Sequence, residues 1–302
     1  MSSSESTVAT AAFADRVAEA VERKRTQLVV GLDPVADLLP VELRGEGATA
    51  AAVERFCTGI IDAVAPYVVA VKPQVAFFEA LGSEGWAALE KVSRHARDVG
   101  LLVIADAKRG DIGSTARAYA TAFLEPVGTG PPLADAVTVN PYLGRDSVDP
   151  FLAACRRDGA GIFLLVRTSN AGARDVQDAI LADGRPVWRH VADLVDDWGE
   201  ELVGEHGLSS VGAVVGATVP RAVAEARKAM PRAIILLPGV GAQGGTPADV
   251  ARAFTSGPAS ALVNASRSVI YAYRDVPDGD WRAVAGQEAA RLSAAVWAAA
   301  GW

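Results

Sequence analysis

Eight short apolar runs recur along the chain: QLVVGLD (27–33), YVVAVKP (67–73), LLVIADA (101–107), DAVTVN (135–140), GIFLLVR (161–167), VGAVVGA (211–217), AIILLPG (233–239) and SALVNAS (260–266). Each is rich in Val, Ile and Leu with little polar alternation. Strands buried on both faces read this way, which means parallel strands covered by helices. The spacers carry helical periodicity. Residues 48–65 place Val53, Phe56, Ile60, Ile61 and Val64 on one face, and 83–98 repeat this with Trp86, Leu89, Val92 and Ala96. Residues 186–203 do so with Val187, Val191, Leu194, Trp198 and Leu202, and 281–298 close the chain. Thr246-Pro247 followed by Asp249 predicts a helix start, with a cap and Pro at the first position. Eight strand–helix units, each ending in polar residues, predict a single-domain (β/α)8 TIM barrel of the α/β class over a doubly wound open sheet. The Gly/Pro-rich stretch Glu125–Pro132 is read as a loop.

Composition narrows the picture. The chain has 302 residues, 50% hydrophobic and 22% charged, which excludes a disordered or fibrous protein and suffices for a large core. The barrel is expected over 13–302, with residues 1–12 a frayed Ser-rich tail that has no signal-peptide character. Two isolated cysteines, Cys57 and Cys155, give neither a disulfide framework nor a zinc knuckle, so a reducing cytoplasm is expected. No uncharged apolar run reaches the ~18 residues of a membrane span. A net charge of −7 argues against nucleic acid as a partner, while leaving room for a local cation cluster around an anionic small molecule.

In a barrel the chemistry sits at the C-terminal strand ends. Those ends read Asp33, Lys72, Asp106/Lys108, Asn140, Arg167/Ser169, Thr218, Gly239–Gly245 and Asn264/Arg267. Charges directly after buried strands are costly unless paired, so this face is predicted to be a polar site. The sharpest group is Asp106-Ala107-Lys108-Arg109-Gly110-Asp111. Residues i and i+2 of a strand share a face, so Asp106 and Lys108 point into the barrel mouth and Asp111 follows past the strand end. Lys72 and Asp33 come from other strands. A lysine among carboxylates stays protonated, and is then a proton donor rather than an amine nucleophile.

A second group is Gly239-Val-Gly241-Ala-Gln243-Gly244-Gly245, then Asn264-Ala265-Ser266-Arg267. GVGAQG has the G-x-G-x-x-G form, but it falls late in the chain and no acid ends the next strand to hold a ribose. Loops after the seventh and eighth barrel strands are the usual phosphate site, and Arg267 adds a permanently charged fork. His95, His190 and His206 fall in or at the ends of predicted helices, away from this face, so Ser–His and Cys–His schemes lack a base. No His/Cys cluster has metal spacing. Asp98, Asp135, Asp193, Asp196 and Asp197 are expected to be solvated charges.

Taken together, LVVGLDP, AVKPQVAFFE, VIADAKRGDIGSTA, VTVNPYLG, LLVRTSNAG, LLPGVGAQGG and ALVNASRSVIYA resemble the orotidine 5′-phosphate decarboxylases, in the wording of their longer bacterial subgroup. The match runs in order from about residue 27 to 275. It implies a homodimer with shared active sites acting on orotidine 5′-phosphate to give uridine 5′-phosphate, with no metal or organic cofactor. Carried over by motif, Lys72, Asp106, Lys108 and Asp111 form the catalytic charge network, Asp111 being donated by the other subunit. Asp33, and Thr115 across the interface, fall where the family holds the ribose. Ser169 falls at the pyrimidine, and Gln243 and Arg267 at the phosphate. The eighth strand departs from the commoner GRSIY-like wording, because Asn264-Ala265-Ser266 precedes Arg267.

The implied chemistry is loss of CO2 to leave a carbanion that no π-system delocalises, with Lys108 as the acid. Other readings of the same residues are a Mg²⁺-dependent phosphosugar decarboxylase of the same superfamily, a Schiff-base aldolase using Lys72 or Lys108, a dinucleotide oxidoreductase resting on GVGAQG, and a phosphate-binding module without turnover.

Overall fold

The computed structural model describes residues 11–45, 49–126, 128, 130–217, 219–239, 245–276 and 279–302. Eight parallel strands close into a barrel in sequence order: β1 (Leu28–Leu32), β2 (Ala70–Pro73), β3 (Leu102–Arg109), β4 (Ala136–Val139), β5 (Gly161–Arg167), β6 (Ser209–Val215), β7 (Ala233–Pro238) and β8 (Ala261–Ala265). Every predicted apolar run forms a strand. Closure excludes the open sheet, since β1 pairs with β2 (Val29 opposite Ala70) and also with β8 (Val29 opposite Asn264).

The longer helices among the described residues are α1 (Phe13–Lys24), α2 (Ala50–Val64), α3 (Gly82–Asp98), α4 (Gly113–Leu124), α5 (Arg145–Asp158), α6 (Val187–Trp198), α7 (Pro220–Ala229) and α8 (Trp281–Ala300). The expected segments 48–65, 83–98, 186–203 and 281–298 correspond to α2, α3, α6 and α8, with a 3-10 turn at Glu200–Leu202 ending the third. Asp249 caps the short helix Pro247–Val250, accepting hydrogen bonds from the Thr246 N–H at 2.8 Å and hydroxyl at 2.7 Å. Among the described residues no helix is long and apolar enough to cross a membrane.

Strand alternation divides the core in two. Val29, Ala70, Ile104, Ala136, Phe163, Val214, Leu236 and Leu262 fill the barrel interior. Leu28, Val30, Val71, Val103, Val137, Ile162, Val211, Ile235 and Val263 pack outward against the helices. Both faces of every strand are therefore dry, which is why the runs show so little polar alternation. Helix α1 was not anticipated. It plugs the lower end of the barrel with Phe13, Val17 and Val21, and the Phe13 ring meets Phe163 edge-on with centroids 5.8 Å apart. Gly161 makes this possible, because a Cβ there would lie 2.2 Å from the Phe13 ring.

One sequence expectation fails here. Asp135, just before β4, is not solvated but buried. It pairs with Arg16 of α1 at 2.5 Å and with Arg97 of α3 at 3.5 Å, and accepts the Val103 N–H at 2.8 Å. A carboxylate beneath the barrel is stable only because guanidinium groups from two remote segments converge on it. Cys57 and Cys155 are free and buried, and burial pushes both thiols far above the usual range, so neither is a nucleophile.

Candidate active site

The upper end of the barrel opens into a cavity of about 650 Å³. Its wall divides by chemistry. Strands β2 to β4 contribute Lys72, Asp106, Lys108 and Thr138, whereas β5 to β7 contribute Leu165, Val214, Leu236 and Pro238. Asp33, Asn264, Ser266 and Arg267 close the ring from the ends of β1 and β8.

Asp106 is the hub. Its Oδ2 accepts from Lys72 Nζ at 2.6 Å and Gln74 Nε2 at 3.1 Å. Its Oδ1 accepts from Lys108 Nζ at 2.5 Å and the Thr138 hydroxyl at 3.1 Å. Four donors on two oxygens leave the carboxylate fully engaged. Burial by itself would raise its pKa, but Lys72 and Lys108 outweigh that and hold it well below the usual carboxylate range. Lys72 is buried, which by itself would lower its pKa. Asp106 and Asp33 reverse the sign and carry it above the ordinary lysine value. The two amines differ in freedom: the Lys108 side chain is 45% exposed and that of Lys72 only 6%.

The backbone at this point is irregular. The β3–β4 register shifts between Ala105 and Arg109, and Lys108 takes φ +48°, a left-handed conformation that L residues seldom adopt. The Lys108 N–H donates to the Thr138 hydroxyl at 2.9 Å. Arg109 fixes the far side, donating to the Ala107 carbonyl at 2.9 Å, pairing with Glu79 and lying over the Tyr119 and Phe123 rings. Strain of this kind persists only where neighbours over-determine it, and it collects at functional sites.

Beside the charge network, next to the Lys72 strand, one Asp33 carboxylate oxygen is buried with no partner among the described residues. The loop carrying it is fastened by Tyr271, whose hydroxyl donates to the Asp33 carbonyl and accepts the Val35 N–H, both at 2.7 Å. Asn264 is likewise buried beside the cavity, its carbonyl oxygen without a partner among the described residues, while its amide donates to Ser266 Oγ at 3.3 Å. Gly31 admits this pair, because a Cβ at that position would sit 1.9 Å from Ser266 Oγ. Arg267 opens the one-turn helix Arg267–Ile270 and is exposed at the rim. Ser169 borders the cavity on a loop tied at its neck by Arg167 and Asp178, 2.9 Å apart.

Of the residues singled out in the sequence, Asp33, Lys72, Asp106, Lys108, Ser169 and Arg267 surround one cavity. Asp111 does not join them within the chain. Its carboxylate turns back to accept the Ile112 N–H at 2.8 Å and does not line the cavity of its own chain. Thr115 is exposed on α4, also away from the cavity. Gln243 and Thr218 lie outside the described residues. None of the three histidines lines the cavity. Gln74, Thr138 and Tyr271 were overlooked. Two of them were recoverable from strand parity, since Gln74 is two residues past Lys72 and Thr138 is the one hydroxyl on the inward face of β4.

Residues 26–279 match the model of the "Orotidine 5′-phosphate decarboxylase / HUMPS family". The chain is 48% identical over 271 residues to the orotidine 5′-phosphate decarboxylase of Rhodopirellula baltica, covering 87% of this chain and 89% of that protein. It is 45% identical over 289 residues to the enzyme of the same name from a Roseiflexus species, covering 95% and 98%. A Streptomyces avermitilis crystal structure assigned as an orotidine 5′-phosphate decarboxylase superposes with a TM-score of 0.81 at 39% identity, over 98% of each chain.

Proposed function

Because the chain belongs to the orotidine 5′-phosphate decarboxylase family, its reaction is that of a carboxy-lyase converting orotidine 5′-phosphate to uridine 5′-phosphate, and we propose that Lys108 is the acid of that reaction. The observation that carries this reading is the Asp106 carboxylate held between Lys72 and Lys108 on the wall of the cavity. The bond from C6 to the carboxylate breaks heterolytically, CO2 departs, and the electron pair stays on C6 in the ring plane, where no π-system can share it. A fixed cation is then the natural stabiliser. Lys108 faces that carbon, transfers an Nζ proton to it, and recovers a proton from solvent through its exposed side. Lys72, buried and paired, keeps Asp106 ionised. Asp106 disfavours the substrate carboxylate in the ground state more than in the transition state, where that charge is leaving as neutral CO2. The apolar half formed by Leu165, Val214 and Leu236 suits the departing CO2, and its low polarity strengthens the charges opposite.

In the same reading Asp33 accepts from the ribose, Ser169 contacts the pyrimidine, and Arg267 together with Gln243 grips the phosphate. The phosphate is remote from the reacting carbon, so its binding energy is available to close the loops after β5 and β7. The enzyme acts as a homodimer in the cytoplasm. Ile112, between Asp111 and Thr115 in sequence, and Tyr142 and Leu143 just past β4 are exposed apolar side chains at 57%, 80% and 48%, which suits a face covered by a second copy. Asp111 and Thr115 would then complete the partner's cavity.

The test is the loss of orotidine 5′-phosphate absorbance in EDTA. Turnover that survives EDTA and vanishes in Lys108→Ala is expected. Near-normal turnover of Lys108→Ala would remove Lys108 as the acid, and loss of activity in EDTA would favour the Mg²⁺-dependent chemistry. Mixing inactive Lys108→Ala and Asp111→Ala chains should restore activity through hybrid dimers. No recovery after confirmed subunit exchange would refute a shared site.

A further inference from the structure

We propose that Thr138 is a positioning residue for the decarboxylation, its hydroxyl holding Asp106 in place when Lys108 turns from that carboxylate toward the substrate. The inference rests on the reading of Lys108 as the acid. In the unliganded cavity Asp106 Oδ1 has two donors, Lys108 Nζ at 2.5 Å and the Thr138 hydroxyl at 3.1 Å. An amine that protonates a carbon must give up part of its bond to the carboxylate. Thr138 is then the sole remaining partner of Oδ1 among the described residues.

Thr138 is suited to stay. It is 1% exposed, sits within β4, and belongs to a strand paired on both sides. A hydroxyl gives one hydrogen bond and accepts others, and here each capacity is used. It donates to Asp106 and accepts the Lys108 N–H at 2.9 Å. That N–H belongs to the left-handed residue at the irregularity in the β3–β4 pairing, where regular strand pairing is interrupted. One side chain therefore fixes both the carboxylate and the backbone from which the acid projects. Gln74 and Lys72 secure the other oxygen in the same way, so Asp106 is held on both sides without Lys108. Anchoring of this kind leaves Lys108 free to move while the charge beside the substrate carboxylate does not.

Thr138→Val keeps the shape and removes the hydroxyl. Its kcat should fall about 10- to 100-fold, the usual cost of a lost hydrogen bond to a charged group, with KM and calorimetric affinity for uridine 5′-phosphate within about 3-fold of wild type. Thr138→Ser should return kcat to within about 3-fold, which a packing role would not produce. Should the Val variant not fold, Thr138→Ser must still exceed Thr138→Ala by about 10-fold. An unchanged kcat in the Val variant, equal loss in Val and Ser, or a loss confined to KM would each overturn the proposal. Lys108→Ala assayed alongside separates the two failures. If it is inactive while Thr138→Val turns over normally, the Thr138 proposal alone falls. If it retains turnover, the reading of Lys108 falls with it.

Discussion

Asp106 and Asp135 are both buried carboxylates flanked by two cations, at opposite ends of the same barrel. At the lower end Asp135 meets guanidinium groups, Arg16 and Arg97, and a backbone N–H. At the mouth Asp106 meets ammonium groups, Lys72 and Lys108. The lower cluster ties α1, α3, β3 and the start of β4 together, and Arg16 also donates to the Gly159 carbonyl at 3.1 Å. A guanidinium is planar, permanently charged and unable to give up a proton at any relevant pH, so it suits a joint. An ammonium on a flexible stem is a point charge that can be delivered together with its proton. The two clusters use equal charge for opposite ends, one to hold the protein still and the other, in the proposed mechanism, to move a proton.

The largest expected effect breaks the upper cluster. If Lys108 is the acid as proposed, Lys108→Ala should lower kcat by on the order of 10⁴-fold, combining loss of the proton donor with loss of a preorganised charge, while the midpoint of urea denaturation stays near that of wild type. The lower cluster should respond the other way. Asp135→Ala leaves two cations without their counter-charge and should cost about 3–5 kcal/mol of stability in urea denaturation, with KM unchanged where the protein is folded. Equal losses of activity from both variants would erase the distinction. An intermediate effect is expected at the rim. On the proposed phosphate role, Arg267→Ala should raise KM by about 10- to 100-fold with little change in thermal stability, since the side chain is exposed and forms no ion pair among the described residues.

The smallest effect concerns pH. The Asp106 carboxyl is held below its unfolded value, so its contribution to stability is complete above about pH 4 and is lost as pH falls toward the folded value. Lys72 is shifted upward, so its contribution is complete below about pH 10 and is lost as pH rises through the folded value. Stability from this pair should be flat across neutral pH. Denaturation of Asp106→Asn followed from pH 5 to 2 should show a shallower acid-side decline than wild type. An identical slope would mean that Asp106 is not held ionised by its neighbours.

The strands were legible because two dry faces leave no polar alternation to confuse the period, and α2, α3, α6 and α8 because their apolar spacing is regular. Helix α5 hides the same spacing in Val148, Phe151, Leu152 and Cys155 behind Pro150, which reads as a breaker. Helix α1 carries regular spacing in Phe13, Val17 and Val21, but its role as a plug depends on Gly161, far along the chain, so no local pattern reveals that role. Lys72, Asp106 and Lys108 stood out because charges abut apolar runs. Asp135 abuts one too, but its partners lie 119 and 38 positions away in sequence and nothing near it announces them. Thr138 escaped notice for a different reason, although strand parity places it on the inward face of β4. A threonine in a β-run is an ordinary strand former, and only Asp106 and Lys108 on the adjacent strand β3 turn its hydroxyl into part of the site.

The seating of Phe13 over Gly161 decides which way the molecule can be handled. Helix α1 occupies the closed end of the barrel, opposite the cavity, so the described chain begins on the far side from the entrance. An affinity handle, a surface tether or a fused second enzyme attached at that end leaves nucleotide traffic unobstructed.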